Sequence, residues 1–148
     1  MNDPVNEFEA ALSLIREALQ KKQPLNRYHA RAALLPLGAQ LAGPAPEHGH
    51  AAARRLMETV GPVAAEWKQA VEDELEMAVT EFAKSVDRRY LARPDYDFAY
   101  TLDVRERLAE RLGAMDVLGL TFPPSWMREL ERADRELAPH LAQKRGGG

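Results

Sequence analysis

The sequence predicts an all-α fold, a single-domain helical bundle of five or six helices around one long central helix. Three observations carry this. Apolar residues recur at spacings of three and four along most of the chain, and prolines and glycines cut that pattern into helix-length pieces. The longest amphipathic run, Pro62 to about Leu91, is also the most regular. With 148 residues and 45% hydrophobic content, the chain can bury a core without disulfides or metal. One helical domain over 1–145 is expected, with a frayed glycine tail at 146–148.

Asp3 followed by Pro4 is a helix start, because the carboxylate accepts from first-turn amides and proline has no amide to leave unpaired. Val5, Phe8, Leu12, Ile15 and Leu19 then line one face to about Lys22. Pro24 ends this helix and Asn26 caps the next, in which Pro36 predicts a kink or break near Leu35. The run GPAPEHG, Gly43 to Gly49, reads as the clearest loop, followed by a short helix over Ala51 to Val60.

In the central run, Ala64, Trp67, Val71, Leu75, Ala78, Phe82 and Val86 form the apolar stripe, with Trp67 and Phe82 as core anchors. Farther on, Asp103 and Glu106 fit a capping box, Val104, Leu108 and Leu112 supply a face, and Gly113 a stop. A last helix presents Trp126, Leu130, Ala133 and Leu137, with Pro139 closing or bending it. Two segments, 96–101 and 117–122, alternate like short strands. An isolated strand pair has little stability, so irregular or helical backbone is preferred there. A helix beginning after Asp95 would carry Tyr96 and Tyr100 on its buried side.

Charge and composition narrow the function classes. The formal net charge is -3, which argues weakly against nucleic acid, and the absence of cysteine excludes thiolate nucleophiles and sulfur-based zinc sites. No basic-then-apolar leader or bilayer-length run occurs, so a cytoplasmic chain without membrane attachment is expected. The charge is unevenly placed: Met57 to Asp87 carries 2 Lys/Arg against 8 Asp/Glu. The central helix is therefore the acidic part.

Candidate sites follow from residue type and spacing. In ARPDYDFAY, Ala92 to Tyr100, three aromatic rings crowd into a chain otherwise built of alanine, leucine and charge. Tyr90, Arg93, Tyr96, Phe98 and Tyr100 are candidate contacts for a protein partner, because interfaces favour aromatics and arginine. Met77 joins them as an apolar residue on the acidic side of the central helix, a second strip suited either to a central place in the bundle or to a homodimer. Asp73 and Glu76 have a spacing that could hold magnesium for nucleotide hydrolysis, provided a second carboxylate pair faces them, such as Glu131 with Asp134. Glu47 and His50 form one Glu-x-x-His, although a di-iron bundle needs two. Lys21, Lys22, Arg27, His29 and Arg31 form a basic region around Tyr28, a weak nucleic-acid footprint, and Arg88, Arg89 and Arg93 form another beside Tyr90. No serine lies in a nucleophile elbow and no glycine-rich phosphate loop precedes a helix. The leading expectation is a non-enzymatic, self-associating interaction or regulatory module without a cofactor. A magnesium-dependent helical hydrolase and a nucleic-acid-binding regulator are the alternatives.

Overall fold

A computed structural model describes residues 3–146, with the side chains of Arg88 and 142–146 excepted. The described residues are all-α, with no strand. Helices α1 (Pro4–Gln20), α2 (Arg27–Ala42), α3 (Pro46–Val60), α4 (Ala64–Ser85), α5 (Arg88–Leu91), α6 (Phe98–Val117) and α7 (Pro124–Gly146) follow in order, and a 3-10 turn, Gly61–Val63, joins α3 to α4. One hydrophobic core runs through the bundle, with Trp67 and Phe82 both buried in it. Helix α4 packs on α2, α6 and α7, while α2 shares the centre by touching α1, α3, α4 and α6.

Several boundaries differ from those read in the sequence, each for a local reason. The predicted rod over 62–91 is helical from Ala64 to Ser85, then breaks and resumes for one turn at Arg88–Leu91. Pro36 lies buried inside an uninterrupted α2, so no break occurs at Leu35. The loop after α2 is only 43–45, because Pro46 at a first-turn position starts α3 five residues early and places EHGH on a helix. Asp103 and Glu106 fall inside α6. Its cap is Asp97, whose side chain accepts from the Tyr100 amide.

Gly113 is likewise helical, and α6 stops at Gly119, where φ is 72°. There Leu120 N–H donates to the Met115 carbonyl and Gly119 N–H to that of Asp116, both at 3.1 Å, which is a Schellman ending. Pro139 sits within a continuous α7. Residues 147–148 of the expected tail lie outside the described residues. The segment 98–117 is helical and 118–123 has no regular element, as preferred over strands.

Close packing of α2 on α6 depends on Gly38, where a Cβ would stand 2.6 Å from the carbonyl carbon of Glu110 and nearer still to its oxygen. The α1–α2 turn is held to α4 through Leu25, whose amide donates to the Glu66 carboxylate. Arg105 makes two bonds to Asp134, at 2.8 and 3.1 Å, and ties α6 to α7.

Candidate functional site

The break between α4 and α6 is built from side chains that replace lost helical hydrogen bonds. Ser85 Oγ donates back to the Phe82 carbonyl at 2.6 Å, and the Asp87 carboxylate accepts from Arg89 N–H at 2.9 Å to begin α5. Tyr96 precedes α6, and its hydroxyl donates to the Ser85 carbonyl at 2.8 Å. With that single proton committed, the Thr101 hydroxyl donates to the Tyr96 oxygen. Phe98 meets the Tyr96 ring edge-on, with centroids 5.7 Å apart. Tyr96 is therefore the pin that fixes the end of α4 to the start of α6.

Around this pin lies an open cleft of about 400 Å3. Its aromatic wall comprises Tyr90, Tyr96 and Tyr100, and its charged rim comprises Glu81, Asp95, Asp97, Lys84 and Arg93. Tyr100 is 50% exposed, and its hydroxyl donates to Glu81 Oε1 at 2.9 Å, orienting both groups at the cleft edge. That hydrogen bond to a carboxylate, followed by the carboxylate's charge, raises the Tyr100 pKa above its ordinary value. The Tyr96 pKa is raised as well, chiefly by burial. The Arg93 guanidinium lies over the Tyr90 ring, 5.2 Å from its centroid. The side chains of Lys84 and Asp95 make no hydrogen bond or ion pair among the described residues. The cleft thus combines exposed ring faces, fixed hydroxyls and charges still open to a visitor.

Of the contact residues expected from sequence, Tyr90, Arg93, Tyr96 and Tyr100 line this cleft, and Phe98 packs behind Tyr96. Tyr96 and Tyr100 do not share a buried helical face, since Tyr96 precedes α6 and Tyr100 is outward. Met77 is 48% exposed, one turn before Glu81 on α4. The acidic candidates remain apart. Asp73 and Glu76 are exposed, and Asp73 accepts from Gln69 Nε2 at 2.9 Å. Asp134 is engaged by Arg105, and Glu47 and His50 face solvent at the start of α3. Among the described residues, no three His, Cys, Asp or Glu side chains come together as metal ligands. In the basic region Lys21 pairs with Glu17, His29 Nδ1 accepts from the Asn26 amide, and Arg27 turns towards Glu74.

Glu74 is the residue that sequence reasoning passed over. It is 2% exposed on α4, with Arg111 at 3.4 Å from α6 and Arg27 at 3.7 Å from α2. Glu74 Oε2 and Arg111 Nε have no hydrogen-bond partner among the described residues. Burial raises the Glu74 pKa and lowers that of Arg111, and in each case it outweighs the attraction between them. The signal was present: Glu74 follows Trp67 by seven residues, which returns to within about 20° on a helix, squarely on the apolar stripe. This cluster locks three helices together and lies apart from the residues that line the cleft.

No helix among the described residues is long and apolar enough to cross a membrane. Comparison of the chain with protein-family models, curated proteins and solved structures finds no match.

Proposed function

We propose that the chain is a non-enzymatic interaction or regulatory module whose contact surface is the tyrosine-lined cleft between α4 and α6. One observation carries this reading: Tyr90, Arg93, Tyr96 and Tyr100, separated along an irregular segment, converge on a single concavity. Tyrosine and arginine are the residues that dominate contact energies when they line a preformed pocket. Tyr96 makes this pocket preformed, because its two hydroxyl contacts hold the joint whether or not a partner is present. Among the described residues no three carboxylate or histidine side chains gather as a magnesium hydrolase would need, and in the basic region around Tyr28 both Lys21 and Arg27 pair with acids of the same chain, Glu17 and Glu74.

The test is a displayed-peptide selection run in parallel on the wild type and on a Tyr90→Ala/Tyr100→Ala variant. Both rings are about half exposed, so their removal leaves the core intact. Sequences enriched on the wild type and lost on the variant are the expected result; equal enrichment on both would overturn the reading. Met77 and Tyr100, both about half exposed, are also the residues through which a second copy would dock. Light scattering across a concentration series is expected to show association that Met77→Glu weakens.

A further inference from the structure

Resting on that reading, we infer that the cleft takes a cationic segment of a partner protein, seating a lysine or arginine side chain between the tyrosine rings and against Glu81 and Asp95. The first support is electrostatic. Three carboxylates and two cations line the cleft, so the lining carries a net negative charge. By charge the lining therefore favours a cation over an anion.

The second support is chemical. Arg93 already lies over Tyr90, so a ring of this wall accepts a guanidinium within the structure itself. Tyr100 offers an exposed ring of the same kind, and its hydroxyl bond fixes the Glu81 carboxylate beside that ring. Asp95, whose carboxylate makes no hydrogen bond or ion pair among the described residues, adds an open acceptor across the cleft. An ammonium or guanidinium seated there gains a carboxylate and a ring face together, which neither a neutral nor an acidic side chain can do.

Fluorescence anisotropy with dye-labelled peptides of three compositions tests this: one rich in lysine and arginine, one rich in aspartate and glutamate, and one neutral with tyrosine. The basic peptide is expected to bind most tightly. Asp95→Asn and Glu81→Gln should each weaken it by about fivefold, whereas Asp73→Asn, outside the cleft, should change it by less than about twofold. Tighter binding of the acidic peptide, or equal losses from Asp95→Asn and Asp73→Asn, would overturn the inference. If only the neutral peptide binds and Tyr100→Ala abolishes it, the cation preference fails while the interaction reading stands. If no peptide binds, both fail.

Discussion

Replacing one member of the Glu74–Arg111 pair should be far more damaging than replacing both. Glu74→Leu leaves the Arg111 guanidinium 4% exposed among the like charges of Arg31 and Arg107. Removing one partner of a buried pair costs about 3–5 kcal/mol, and this variant belongs in that range because Arg111 then keeps only the weaker pull of Glu81 against two repelling arginines. Arg111→Met leaves Glu74 with Arg27 still 3.7 Å away, so its cost is expected to be lower, about 2–3 kcal/mol. The double variant Glu74→Leu/Arg111→Met removes both buried charges and the two polar atoms that lack hydrogen-bond partners. It should lie within about 1 kcal/mol of the wild type or above it. Urea unfolding followed by circular dichroism measures all four proteins, and the coupling energy follows from the cycle. Additive losses, with the double variant the least stable of the four, would refute the reasoning.

The same carboxyl makes a pH prediction. Its folded pKa lies above the ordinary 4.5, so the folded state holds the proton more firmly than the unfolded chain. That contribution is fully present below pH 4.5 and is lost as pH rises through the folded value. The unfolding free energy of wild type relative to Glu74→Gln should therefore fall as pH rises above 4.5, and a rising difference would contradict the burial argument. Gly38→Ala should destabilise by about 1–3 kcal/mol in thermal unfolding, because its Cβ would collide with the backbone of Glu110. Two further glycines should respond in opposite directions: Gly113→Ala, in open space within α6, should stabilise by about 0.5–1 kcal/mol, and Gly119→Ala, at φ 72°, should cost about 1 kcal/mol. Chemical denaturation distinguishes the signs.

The all-α architecture was legible because apolar spacing reports directly which face of a helix is buried. Phe8, Leu12 and Ile15, or Trp67, Val71 and Leu75, need only their own periodicity to be placed. Elements that depend on a choice between two local signals were less legible. Gly113 and Gly119 both offer a helix stop, and the chain uses the second because Val117 and Leu118 still have the core to pack against. In α6 the spacing Tyr100, Val104, Leu108, Leu112 competes with Thr101, Val104, Leu108, Arg111, Met115. The second is the buried seam, which puts a threonine and an arginine inside and a tyrosine outside. Residue polarity pointed the wrong way at those positions because Thr101 has Tyr96 as a partner and Arg111 has Glu74. The candidate site was legible as composition, since the aromatic joint stood out. Its concavity was not, because it depends on Glu81, Lys84 and Ser85 arriving from the end of α4.

The cleft as a binding surface is best tested by an amide-resolved nuclear magnetic resonance titration of the labelled protein with the basic peptide. Shift changes confined to the segment from Glu81 to Asp103, and absent from α1 and α3, are the predicted result. Changes centred on Arg27 and Arg31, or none at saturating peptide, would contradict it.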